Sequence, residues 1–131
     1  MYMLDTNICI YVINRRPLEI LEKFESLAHD SLCISVVTRA ELQYGVEKSS
    51  NPGRNQRILD QFLLLLIEIP WHDKAAVQYG KIRKRLEENG SPIGNMDLLI
   101  AAHAVSENYI LVTNNLREFG RVEGLVCENW L

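Results

Sequence analysis

The sequence contains no long apolar run. Its longest, Phe62 to Ile67, falls far short of the roughly 20 residues a helix needs to cross a bilayer, and Met1-Tyr2-Met3-Leu4 leads straight into Asp5 without a basic segment. Neither a membrane span nor a secretory leader is expected, and the expected location is the cytoplasm. Cysteine is sparse: Cys9, Cys33 and Cys127 are odd in number, lie in apolar segments and lack C-x-x-C spacing. They read as buried thiols rather than as a disulfide framework or a zinc site. A basic surplus is missing too, since 14 Lys and Arg face 17 Asp and Glu for a net charge of -3, so any grip on nucleic acid must come from local clusters. Repeats, low-complexity tracts and linkers are absent. What remains is 131 residues, 47% hydrophobic and 24% charged, the length and composition of one globular domain spanning 1–131.

Apolar strands alternate with helices along the chain. Tyr2 to Leu4, Leu32 to Ile34, Leu66 to Ile69, Ile110 to Thr113 and Leu125 to Cys127 read as short buried strands. Helices are expected over Ile8 to Ile13, Pro17 to about Ala28, Val36 to Lys48, Arg54 to Leu65, Asp73 to Glu88, and from the Gly90 to Gly94 turn through about Ser106. That alternation predicts an α/β fold, a mainly parallel sheet with helices on both faces. Ligands of such sheets sit beyond the carboxyl ends of the strands, where Asp5 and Asn114-Asn115 fall.

Three acids stand where apolar residues are expected. Asp5 directly follows a strand, so it either caps the next helix or points into the crevice. Glu41 shares a helical stripe with Val37, Ala40 and Tyr44; either it closes a capping box with Thr38, or Ser35 is the cap and Glu41 lies well inside the helix. Asp97 opens the row Asp97, Ile100, Ala101, Ala104, as a helix-dipole partner or as a site residue. Carboxylates brought together repel, by about 4 kcal/mol at 4 Å and an effective dielectric near 20, so they share a proton or bind a cation. With no Cys or His at ligand spacing, an all-oxygen set favours Mg²⁺ or Mn²⁺, and such ions suit phosphoryl chemistry.

Four ordered motifs make the pattern specific: Met3-Leu4-Asp5-Thr6-Asn7, Ala40-Glu41-Leu42 with Tyr44-Gly45, Ile93 to Ala102 around Asp97, and Leu111-Val112-Thr113-Asn114-Asn115-Leu116-Arg117-Glu118-Phe119. Together they resemble a PIN domain and, more closely, the VapC toxins of bacterial type II toxin-antitoxin pairs. The resemblance implies a PIN-like three-layer fold and a Mg²⁺- or Mn²⁺-dependent endoribonuclease. It also implies a homodimer and a VapB-type antitoxin that inserts a segment into the active-site groove. By position it assigns Asp5, Glu41 and Asp97 as metal-binding acids, with Thr6, Asn7 and Thr113 in support. Many PIN domains carry an acid where this chain has Asn115, so Asn115 and Glu118 complete the expected catalytic set and the number of metals is open. The Asn114-Asn115 pair also resembles toxins implied to cut initiator tRNA in the anticodon region, which would inhibit translation.

Arg15, Arg16, Lys81, Arg83, Lys84 and Arg85 are candidates for gripping RNA phosphates, or else a solvated face paired with Glu87 and Glu88. His103, six residues past Asp97, is off its helical face and reads as a satisfied helix histidine, and Trp71 and Trp130 read as core or interface. Two rivals remain. An aspartyl-phosphate phosphatase would use Asp5 as nucleophile, but Asn7 stands where its general acid belongs. A non-catalytic PIN-like module binding RNA or protein is supported only by Asn115.

Overall fold

The computed structural model describes residues 1–131. Five strands, β1 (Tyr2–Leu4), β2 (Leu32–Ser35), β3 (Ile67–Ile69), β4 (Ile110–Val112) and β5 (Cys127–Glu128), form one sheet in the order β3-β2-β1-β4-β5. Every strand pair is parallel. Seven helices connect them: α1 (Thr6–Asn14), α2 (Leu18–Ser26), α3 (Val36–Glu47), α4 (Pro52–Leu63), α5 (Asp73–Glu88), α6 (Asn95–Glu107) and α7 (Leu116–Phe119).

Both faces of the sheet are covered, which explains why the strands are apolar throughout rather than alternating. Leu4, Leu32, Ile34 and Val112 point to one side, into a cluster with Ile8, Phe24, Leu42, Leu59 and Phe62 of α1 to α4. Met3, Cys33 and Leu111 point to the other, against Ile82, Leu86, Leu98, Ile100 and Phe119 of α5, α6 and α7. Burying each such Leu or Ile contributes about 1.5–3 kcal/mol, so strands of three residues suffice when sandwiched this way. From β1 the chain moves outward through β2 and β3, then returns to place β4 on the other side of β1. The direction of winding therefore reverses between β1 and β4, and the crevice at their carboxyl ends is a topological switch point.

Several expectations shift. Asp5 caps α1, so that helix starts at Thr6 rather than Ile8. The helix expected to run to Ala28 stops at Ser26, and a 3-10 turn at His29–Ser31 leads into β2. The last strand is the edge pair Cys127–Glu128 instead of Leu125 to Cys127. In α3 the buried row is Thr38, Leu42 and Val46, while Ala40 is exposed and Tyr44 is 65% exposed. The reason is the cap: Ser35 Oγ accepts the Val37 amide at 3.1 Å and fixes the helix start at Val36, which turns Thr38 toward the core and Glu41 onto the flank. The Thr38 capping box is not formed, and its hydroxyl has no partner. Cys9 and Cys33 are buried as expected, whereas Cys127 on the edge strand is only half-buried. Trp71 donates its indole N–H to the Leu99 carbonyl at 3.1 Å, and Trp130 is buried with its ring edge-on to Tyr2.

Candidate active site

The central strand delivers Asp5 to the switch point. Its amide continues the sheet by donating to the Val112 carbonyl at 3.0 Å, so the carboxyl emerges at the carboxyl end of β1. There Oδ1 accepts the Ile8 amide at 2.9 Å. Asp5 thus caps α1 and also lines the crevice, and the two roles do not compete. Burial raises its pKa; the Thr113 hydroxyl and the Ile8 amide pull it back down, and the charge on Glu41 raises it further.

The next strand delivers Glu41 through α3. Capping at Ser35 leaves Glu41 inside the helix, half-buried, where it accepts the Thr6 hydroxyl at 2.5 Å. This charge-assisted bond ties the first turn of α1 to α3 and orients the carboxylate. Asp97 comes from the far side, in the first turn of α6, whose N-cap Gly94 offers no side-chain hydrogen bond. Its carboxyl is pushed up to about 7, by burial first, then by a hydrogen bond and charge from Glu118, then by Glu41 and Asp5.

The loop after β4 supplies the remainder. Thr113 is fully buried and its hydroxyl accepts the Asn115 amide at 2.9 Å. Asn115 caps α7: Oδ1 accepts the Glu118 amide at 3.4 Å and Nδ2 donates to Glu118 Oε2 at 3.3 Å. Asn115 therefore holds Glu118, which is near enough to Asp97 to raise its pKa, forms no ion pair with Arg117 and does not itself line the acid pocket. Asp5, Thr6, Asn7, Glu41, Asp97 and Asn115 line a pocket of about 140 Å³ together with Phe119. Sequence reasoning missed Phe119, the buried anchor of α7; the capping pattern Asn115-x-x-Glu118 was the available signal for that short helix. It also missed a larger recess of about 480 Å³ between α1, α3 and α4. Ile10, Ile13, Leu42, Val46, Ile58 and Leu59 line it with Asn14, Arg54 and Asn55, and Glu41 stands on its wall as well as on that of the acid pocket.

The donors at the acid pocket are all oxygen. Asp5, Glu41 and Asp97 border the pocket without being gathered tightly enough to form a ready metal-ligand cluster. Carboxylates around an open space fit Mg²⁺ or Mn²⁺ better than Zn²⁺, because a hard ion that keeps several waters takes only one or two carboxylates directly. Asp97 is compatible with that fit: burial first, and then Glu118, Glu41 and Asp5, disfavour its charge, and a cation would offset both effects.

The six basic candidates line neither this pocket nor its Glu41 wall. Arg83, Lys84 and Arg85 are paired with Glu87, Glu88 and Glu123 at 3.3, 3.4 and 3.4 Å, whereas Arg15, Arg16 and Lys81 are exposed. His103 is fully buried, with Nδ1 2.7 Å from Ser35 Oγ, but Nε2 makes no well-formed hydrogen bond, so it is only half satisfied. No helix is long and apolar enough to cross a membrane.

Comparison with known proteins gives this geometry a family. A PIN domain model matches residues 2–125. "Ribonuclease VapC2" of Haemophilus influenzae is 52% identical over 130 residues, covering 99% of this chain and 98% of its own. The "tRNA(fMet)-specific endonuclease VapC" of Shigella flexneri is 45% identical over 129 residues, covering 98% and 97%. Among solved structures, VapBC2 from Rickettsia felis, bound to a DNA fragment from its promoter, superposes with a TM-score of 0.94 at 49% identity, covering 99% of this chain and 98% of that one. The resemblance seen in four short motifs extends across the whole length, and the chain belongs to the PIN-domain family, among its VapC ribonucleases.

Proposed function

We propose that this chain is the toxin of a VapBC-type pair, an endoribonuclease that hydrolyses RNA phosphodiester bonds with Mg²⁺ or Mn²⁺. The observation that carries the proposal is the convergence of Asp5, Glu41 and Asp97 from three separate elements at the switch point, where Asp97 has its pKa raised to about 7 by burial and by its acidic neighbours. Asp5, Glu41 and Asp97 would hold the ion, one or two of them directly and the rest through its waters. Held there, a divalent ion would supply Lewis-acid chemistry for phosphodiester hydrolysis.

The protein's own residues do the positioning. Asp5 is fixed by the Ile8 amide and the Thr113 hydroxyl, and Glu41 by the Thr6 hydroxyl. Asn115 holds Glu118 against Asp97, which makes Glu118 the fourth carboxylate that Asn115 itself does not supply. Asn7, exposed at the rim of the pocket, is placed to meet the substrate backbone.

The proposed substrate is tRNA, the initiator tRNA anticodon region in particular, with arrest of translation as the consequence. Support comes from the 45% identity to a relative named for that specificity. A VapB-type antitoxin is the proposed partner, its segment entering the recess beside Glu41, with homodimerisation and a cytoplasmic bacterial setting as in the pairs this chain resembles. Residues 1–131 act as one PIN domain in this proposal.

Incubating purified protein with a tRNA pool tests it. Cleavage should require Mg²⁺ or Mn²⁺, stop with EDTA, and vanish in a folded Asp5→Ala variant. Equal behaviour of wild type and Asp5→Ala would sink the mechanism and favour a non-catalytic binding module.

A further inference from the structure

Between β2 and α6 lies a buried polar pair that the proposed chemistry does not use. Ser35 ends β2, His103 sits in the body of α6, both are fully buried, and His103 Nδ1 lies 2.7 Å from Ser35 Oγ. The Ser35 oxygen also accepts the Val37 amide that opens α3. With that amide donating to the oxygen, the hydroxyl proton is free to go to Nδ1, which leaves the ring proton on Nε2, facing the Pro70 carbonyl.

Cohesion alone does not call for this pair. The neighbours of His103 along α6 are apolar and buried: Ile100, Ala101, Ala102 and Ala104. Burial disfavours the charged imidazole and lowers its pKa, and Nε2 lacks a well-formed bond, so as a source of cohesion the pair is incomplete, one ring nitrogen being left without a partner. What the pair supplies is geometry. It is the one side-chain hydrogen bond that joins β2 and α3 to α6, and α3 carries Glu41 while α6 carries Asp97.

We infer that the Ser35–His103 hydrogen bond is a positioning device, setting the separation of the Glu41 and Asp97 carboxylates across the pocket although neither partner lines it. The inference rests on those acids holding the metal of a hydrolytic site. Groups hydrogen-bonded directly to metal ligands typically cost 10- to 100-fold in metal affinity or activity when removed, and this pair, which acts through the two helices, is expected to cost about tenfold, the lower end of that range.

The test titrates Mn²⁺ alone into metal-free protein, with free ion followed by electron paramagnetic resonance, alongside kcat and KM for the tRNA pool. His103→Leu should fold, bind Mn²⁺ about tenfold more weakly and lose about tenfold in kcat at unchanged KM. His103→Asn, whose amide can take the place of Nδ1, should recover most of both. A folded His103→Leu with wild-type Mn²⁺ affinity and kcat overturns the inference, as does an equal loss in His103→Leu and His103→Asn. If His103→Leu does not fold, His103→Met, which also lacks Nδ1 and leaves the Ser35 cap on α3 in place, takes the same measurements with the same expected losses. Asp97→Asn separates the two failures. If it too keeps wild-type Mn²⁺ binding and cleavage, the metal-site proposal falls and the positioning role with it; if it loses both while His103→Leu does not, only the positioning role falls.

Discussion

Replacing Asp97 by Asn should make the metal-free protein more stable at pH 8, although it removes a proposed metal ligand. In the folded chain the Asp97 carboxyl titrates at about 7 against an ordinary 3.8, because burial, Glu118, Glu41 and Asp5 all disfavour its charge. At about 1.36 kcal/mol per tenfold change, that difference sets an upper bound near 4 kcal/mol. The group is half-buried rather than sealed, so solvent screening reduces the expected gain to about 1–2 kcal/mol, or a melting temperature higher by about 5 °C. The sign follows from proton binding. Below pH 4 the carboxyl is protonated in both states and the penalty is absent. Between pH 4 and 7 the unfolded chain ionises while the folded chain keeps its proton, so wild-type stability falls as pH rises, and above 7 the full penalty applies. Thermal unfolding in EDTA, followed by circular dichroism at pH 4 and pH 8, should show nearly coincident melts at the lower pH and a more stable variant at the higher. Adding Mg²⁺ should then stabilise wild type and not the variant, reversing the order. A variant less stable than wild type at pH 8 would refute this reasoning and assign Asp97 as a dipole partner for α6, worth about 0.3–1 kcal/mol.

Glu118→Gln should raise metal-free stability by about 0.5–1 kcal/mol and cut RNA cleavage at least tenfold, because it removes one of the charges pressing on Asp97; wild-type cleavage would return Glu118 to the status of a solvated acid. Thr38→Val should be neutral or stabilising by about 1 kcal/mol in a denaturant melt, since the hydroxyl it removes is buried without a partner, and a loss of that size would reinstate the Thr38–Glu41 capping box. Arg15→Ala with Arg16→Ala should flatten the fall of cleavage with salt by about one to two in the log–log slope if these exposed arginines meet phosphates, and an unchanged slope would leave them a solvated face.

Much of the fold was legible because its strands are short apolar words with polar endings. Asp5 follows β1 and Ser35 ends β2, and each caps the helix that comes next, so strand end and helix start were written in the same residue. What stayed hidden depended on tertiary packing or on elements shorter than a helical period. The four residues of α7 cannot show periodicity, yet they turn Glu118 toward Asp97, which the sequence read as an open choice beside Arg117. The face of α3 was misjudged because Val37, Ala40, Glu41 and Tyr44 make as plausible a stripe as Thr38, Leu42 and Val46; only the cap at Ser35 decides between them. The three acids themselves were legible for the opposite reason. Asp5 stands at a strand end and Asp97 in the first turn of a buried helix, where a charge is out of place without a partner, whereas Glu41 was singled out from a stripe that α3 does not bury and reaches the pocket from the flank.

The most direct test of the central claim is anomalous diffraction from crystals of this protein soaked in Mn²⁺. A peak among the Asp5, Glu41 and Asp97 carboxylates is predicted, with oxygen ligands only and lost in Asp97→Asn crystals. A Mn²⁺ peak that avoids these three acids, or one that persists there unchanged in Asp97→Asn, would contradict it.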